Sequence, residues 1–262
     1  MTVISSTALA QSLKDQRNEA NRLSSGKRIT SASDDAAGLA IATRLNSDLV
    51  SNRQASRNVG DSFSMSDTAG SAIQQLTESA TRIRELVMQA SNGSTGASEK
   101  NAIQQEIDQL GQGMDQIAKG TNFNGQKLLD GTLSTTFQAG PDVGDSQTFS
   151  LGDMTQVALG FSGINVTTSA GASSALAAVD AAIDTLNTQQ GAVGASQASS
   201  EVIANSLDSA YVNGAEAKSR IADLDYGSST SNQATNNVRV AFGMQMQALQ
   251  NAAQSNSLQL IG

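Results

Sequence analysis

Apolar and small residues along this chain recur in steps of three and four over long stretches. From Leu9 they fall at Leu9, Leu13, Gln16, Ala20 and Leu23, helical spacing with one polar member. A second seam runs through Leu45, Leu49, Ser56, Val59 and Phe63. It tightens into Ile73, Leu76, Ala80, Ile83, Val87 and Ala90 before Asn92-Gly93-Ser94-Thr95-Gly96 stops it. A helix from Leu45 to Ser91 would be roughly 70 Å long, too long for a compact domain but natural for a rod. Gly60 and Gly70 weaken it locally. Ser98 can cap a third helix, with Glu99 in its first turn and a heptad seam at Ile103, Ile107, Leu110, Met114 and Ile117. Between Thr132 and Val166 the period changes to two. Leu133, Thr135, Phe137 and Ala139 alternate, as do Phe149 and Leu151, and Pro141 to Asp145 supply a loose tip, which predicts a β-hairpin. Ser162 to Ser174, rich in Ser, Thr, Gly and Ala, reads as a surface linker. A fourth helix follows with a seam from Leu176 to Ile221 that alternates three and four throughout.

The last segment differs in kind. From Tyr226 to Gly262 its only charged side chain is Arg239, while Val238, Phe242, Met246, Leu249, Ala253 and Leu260 recur at roughly helical spacing among Gln, Asn and Ser. A solvated amphipathic helix normally carries charge on its outer face, so this one is expected to be surrounded by other protein. Each terminal helix has one narrow seam and can be held only by the other end of the chain and by further protein around it. Leu9, Leu13 and Leu23 at one end, and Val238, Phe242, Met246, Leu249 and Leu260 at the other, are the expected packing residues of these two helices.

The first two helices must be joined with fixed directions. Gly26 can take the left-handed conformation that ends a helix, with Lys27 and Arg28 beside the negative end of its dipole. Ser31 or Ser33 can cap the next helix, with Asp34 and Asp35 in its positively polarised first turn. Two adjacent acids can also suggest a metal or acid–base site, but at a helix start capping accounts for them.

Composition sharpens this picture. The 262 residues include no Trp, two Tyr and six Phe, which excludes a bulky aromatic core; burial must come from narrow helix seams. The net charge of -8 argues against nucleic-acid binding. Half of the 16 basic residues lie in the first sixty positions, whereas Leu128 to Ala217 has none, a polarity that suits pairing between copies. With no His and no Cys, the commonest metal ligands, general base and nucleophile are missing. No catalytic, cofactor or metal site is expected. Gly120 to Lys127 is a near miss to a phosphate-cradling loop: no Lys follows Gly125 directly, no Ser or Thr follows Lys127, and the stretch ends a helix. No run of about 18 apolar residues is present, so no membrane span is expected. The first ten residues lack a basic segment followed by an apolar run, and export without a cleaved signal is expected.

The joint, Leu23-SSGKRITSASDDAAGLAIATR-Leu45, resembles the amino-terminal signature of bacterial flagellin. Thr81-Arg-Ile-Arg-Glu-Leu86, Ile103-Gln-Gln-Glu-Ile107, Thr121-Asn-Phe-Asn-Gly125, Lys127-Leu-Leu129, Phe137-Gln138, Ser219-Arg-Ile221 and Asp225-Tyr226 follow in that family's order. The resemblance implies a mainly α fold: an elongated antiparallel coiled-coil-like helical rod with a small β-hairpin region and paired terminal helices. Residues 1–44 and 222–262 would form a terminal helical core domain, and 45–131 with 167–221 a helical rod domain of which 132–166 is the hairpin region. The large variable outer domains of many members are missing, so a minimal form is implied. The implied function is a structural subunit that polymerises into the flagellar filament for swimming. A hook–filament junction protein of similar build is the alternative. The implied partners are copies of the chain itself, the flagellar type III export apparatus with an export chaperone, and hook-associated and cap proteins, in an extracellular filament. In flagellins that the vertebrate receptor TLR5 detects, an Arg and a Leu on the second helix and a Glu on the third form the main contact. Arg82, Leu86 and Glu106 stand at those positions here.

Overall fold

The computed structural model describes residues 2–259, with side-chain burial for residues 7–256. Five helices and four short strands follow in the order α1 Thr2–Ser25, α2 Ala36–Ser91, α3 Ala97–Gly120, β1 Asn122–Phe123, β2 Gln126–Lys127, β3 Ser134–Gln138, β4 Ser146–Ser150, α4 Ser169–Ala222 and α5 Tyr226–Gln259. The fold is mainly α, as the seams predict. Two compact units are present: Met1–Val50 with Val212–Gly262, and Ser51–Tyr211. Their boundaries fall inside α2 and α4.

In the unit Ser51–Tyr211, α2 buries one unbroken heptad stripe: Asn52, Ala55, Val59, Ser62, Ser66, Ala69, Ile73, Leu76, Ala80, Ile83, Val87 and Ala90. The bulky upper half meets Ile103, Ile107 and Met114 of α3 and Val179, Leu186 and Val193 of α4 in one core. The lower half is small and polar. Phe63, expected on the seam, is exposed, and Ser62 and Ser66 lie inside instead. Small side chains let the backbones of α2 and α4 approach closely: a Cβ on Gly70 would sit 3.3 Å from Val193 Cγ1.

The predicted hairpin forms with β3 and β4 antiparallel, Ser134 opposite Ser150 and Gln138 opposite Ser146. Phe149 and Leu151 feed the core as the alternation requires. Gln147 is the polar exception. Its amide donates to the Ser196 carbonyl at 3.1 Å and accepts from the Ser200 hydroxyl at 3.1 Å, which ties β4 to α4.

The stretch from Ser162 to Ser174 is no surface linker, contrary to its composition, since Ile164, Val166 and Ala172 are buried and α4 already begins at Ser169. Gln104 of α3 holds this stretch as a strand would: its Nε2 donates to the Ile164 carbonyl and its Oε1 accepts from the Val166 amide, both at 2.8 Å. The Gly120 to Lys127 stretch does more than end α3. Asn124 and Gly125 adopt positive φ (49° and 81°) and close the β1–β2 hairpin, a left-handed pair suited to a two-residue turn.

Candidate functional site

The joint after α1 is fixed by backbone geometry first. Gly26 has φ +67°, and its N–H donates to the Arg22 carbonyl at 2.9 Å, the expected left-handed helix end. The next helix is capped otherwise than expected. Asp35, not Ser31 or Ser33, precedes α2 and accepts the Gly38 N–H at 2.8 Å, because it alone lies three residues before that free amide. Asp34 stays outside the helix. Its carboxylate accepts from the hydroxyl and N–H of Thr30 and from the N–H and hydroxyl of Ser31, and those bonds, led by the Thr30 hydroxyl, hold it well below the usual carboxylate range. Arg22 pairs with it at 3.3 Å.

This joint is zipped to the α4–α5 turn. Arg28 N–H donates to the Ala222 carbonyl (2.8 Å) and Leu224 N–H to the Gly26 carbonyl (3.0 Å). The Arg28 guanidinium serves the carboxyl end of α4 and not that of α1, donating to the Ile221 carbonyl at 2.6 Å. Tyr226, the first residue of α5, donates its phenol to the Leu23 carbonyl at 3.2 Å. Both terminal helices therefore leave one knot.

From that knot α1 and α5 pair along a polar seam. Glu19 is buried and accepts the Ser229 hydroxyl, and Gln16 donates to Asn237 at 2.7 Å. On α5 the inward residues are Ser229, Gln233, Asn236, Val240, Gly243, Gln247 and Gln250, in steps of four and three. Only Val240, 4% exposed, is a bulky apolar member. Leu9, Leu13 and Leu23 are half-buried, and Leu9 lies against Gly243.

The expected α5 packing residues do not face α1. Val238 (56% exposed), Phe242 (65%), Met246 (53%) and Leu249 (65%) form the outward stripe. Val238 and Phe242 lie two residues either side of Val240, and at 3.6 residues per turn that is the opposite face. Leu260 lies outside the described residues. The inward seam is invisible to a hydrophobic pattern because its members are Ser, Gln, Asn and Gly.

The three positions carried over for receptor contact separate. Arg82 donates to Glu106 Oε1 at 2.9 Å and to Glu85 at 3.1 Å, which raises its already high pKa, Glu106 contributing most. Both partners are exposed, whereas Leu86 is only 2% exposed and belongs to the core. Leu86 presents almost no surface in the single chain, because it lies beside Val87 of the α2 stripe within the core cluster.

Among the described residues, no helix is long and apolar enough to cross a membrane, and no three His, Cys, Asp or Glu side chains converge on a metal position. The Asp130 carboxyl is also displaced downwards, by the hydroxyl and N–H of Thr132 in its turn. The molecule is mainly helical, and its conspicuous surface is an apolar stripe left exposed in the single chain.

A family model described as the bacterial flagellin N-terminal helical region matches residues 1–134. Flagellin FlaB1 of Treponema pallidum is 32% identical over 257 residues, 92% of this chain and 90% of that protein. Flagellin D of Vibrio cholerae is 45% identical over 140 residues, 53% of this chain but 37% of its own length, so the chain spans little more than a third of that relative. The chain belongs to the bacterial flagellin family. A solved structure from Vibrio parahaemolyticus, described as a putative flagellar hook-associated protein, is similar in fold (TM-score 0.60, 13% identity, 72% of this chain and 100% of that one).

Proposed function

We propose that this protein is a structural subunit that polymerises into the bacterial flagellar filament, with the outward face of α5 as its principal assembly surface. The carrying observation is the stripe Val238, Phe242, Met246 and Leu249, exposed along one face of a helix whose sequence from Tyr226 onwards bears one charge. An apolar stripe of this length without a charged rim suits burial against protein. Neighbouring copies of the same chain are the occupant, because flagellins are filament proteins and because the α1–α5 seam holds too little apolar area to be the helix pair's whole support. Salting out the purified protein and viewing it by electron microscopy tests this reading. Long fibres are expected; soluble protein without fibres would overturn it and favour the hook–filament junction reading.

Export follows the same logic. The chain leaves the cell through the flagellar type III apparatus without signal cleavage, a chaperone covers the α5 stripe beforehand, and hook-associated and cap proteins meet the filament at its ends. Recognition of the monomer by TLR5 would use the exposed Arg82–Glu106 pair, with Leu86 acting from beneath by holding α2 against α3.

A further inference from the structure

Three Asn-Gly pairs occur in the sequence, at Asn92-Gly93, Asn124-Gly125 and Asn213-Gly214, and the fold places each in a different backbone setting. We propose that Asn92 is a site of spontaneous deamidation, a covalent modification that needs only water. The reaction begins when the Gly93 backbone nitrogen loses its proton and attacks Asn92 Cγ. The Cγ–Nδ2 bond breaks, ammonia leaves, and a five-membered succinimide remains. Water then opens the ring at either carbonyl: cleavage between Cγ and the ring nitrogen gives Asp, and cleavage between the backbone carbonyl carbon and that nitrogen gives isoaspartate. One amide and one water become one carboxylic acid and one ammonia, with no redox change.

Ring closure requires Cβ of the Asn and the next backbone nitrogen to eclipse each other about Cα–C, a torsion used neither in an α-helix nor in a left-handed turn. Asn92 meets this condition most easily. It follows the last residue of α2, Ser91, and heads an exposed turn in which the Thr95 N–H donates to its carbonyl at 3.1 Å. Turning its Cα–C bond costs one short turn and leaves the helical ladder intact. The Ser94 N–H donates to Asn92 Oδ1 at 3.2 Å, which folds the side chain over the Gly93 peptide and withdraws electrons from Cγ. A Cβ placed on Gly93 would meet nothing within 4 Å, so nothing crowds the attack from that side.

The other two pairs are held back. Asn213-Gly214 lies within α4, where closing the ring would break the helix, and a Cβ on Gly214 would lie 3.2 Å from Leu49 Cδ2. Asn124 is left-handed at φ 49° between the paired residues Phe123 and Gln126, so ring closure there must first open the β1–β2 register. Asn is among the thermolabile residues for this chemistry, and the fold selects which one reacts. At Asn92 the products differ in consequence. Asp keeps the acceptor for Ser94, whereas isoaspartate inserts a methylene into the backbone ahead of Gly96, whose N–H donates to Glu99 Oε2 at 3.0 Å where α3 starts.

The test incubates the full-length protein at mildly alkaline pH, digests it, and follows the three Asn-Gly peptides by mass spectrometry, with isoaspartate read by its methyltransferase. A parallel sample in urea supplies the unfolded rates. The expected result is conversion at Asn92 at least tenfold faster than at Asn213 in the folded protein, faster at higher pH, and comparable rates at all three sites in urea. Gly93→Val should suppress the folded-state reaction while leaving circular dichroism unchanged. An Asn92 peptide that stays intact while its urea control converts, or equal folded rates at the three sites, would overturn the proposal.

Discussion

The phenol of Tyr226 donates to the carbonyl of Leu23, 203 residues earlier, at 3.2 Å. The same hydroxyl would lie 3.1 Å from a Cβ placed on Gly26, whose φ is +67°. This contact ties the start of α5 to the end of α1 alongside the Arg28–Ala222 and Leu224–Gly26 bonds, and a side chain at position 26 would crowd it. Gly26→Ala should destabilise the unit containing α1 and α5 by about 1–2 kcal/mol through left-handed strain and crowding. Tyr226→Phe should cost about 1 kcal/mol through the lost bond. Urea unfolding followed by circular dichroism measures both.

Acid should loosen this joint through Asp34. The folded carboxyl, held down first by the Thr30 hydroxyl and then by the backbone of Thr30 and Ser31, has a lowered pKa, while in the unfolded protein it titrates near about 3.9. Its stabilisation is therefore complete above that value and is lost as pH falls through the folded one. Melting temperatures of wild type and Asp34→Asn should differ at pH 7 and converge progressively below about pH 4.

Leu86 and Arg82 should respond to truncation to very different degrees. Leu86→Ala opens a cavity in the core and should cost about 2–4 kcal/mol. Arg82→Ala removes an exposed ion pair and should cost less than about 1 kcal/mol. Thermal melts distinguish them. Receptor activation compared across the two variants is interpretable only at a temperature where the Leu86→Ala protein remains helical.

The amide of Gln147 is a buried linker between sheet and helix. Gln147→Ala would strand the Ser200 hydroxyl, which is 1% exposed, and should cost about 1–3 kcal/mol. In Gln147→Ala/Ser200→Ala the combined loss should fall short of the sum of the single losses, because the two changes remove one shared bond.

Much of this fold is written in bulky apolar residues. Ile73, Leu76, Ile83 and Val87 announce their seam because each is large and each recurs on one face, and Phe149 and Leu151 announce β4 by alternation. Where the seam is built from other atoms the pattern misleads. Apart from Val240 and Gly243, the inward face of α5 is Ser229, Gln233, Asn236, Gln247 and Gln250, so periodicity picks out the outward stripe instead. At Ile164 and Val166 a Ser- and Thr-rich stretch hides two buried residues, since the amide that secures them belongs to Gln104, some sixty positions away. Strands of two residues, such as β1 and β2, are too short to show any period. The outward stripe of α5 is legible as an apolar pattern; only the structure shows that the protein's own first helix does not cover it.

Leu249→Asp tests that stripe most directly, because the side chain is 65% exposed in the single subunit and projects away from α1. The variant should stay folded, with a stability within about 0.5 kcal/mol of wild type. In the filament the same change would bury an unpaired carboxylate against a neighbouring copy. Sedimentation after salting out, with wild-type filament fragments added as seeds, should therefore leave Leu249→Asp in the supernatant while wild type pellets as fibres. Fibres of normal length and yield from the Leu249→Asp protein would show that the outward face of α5 is not an assembly surface.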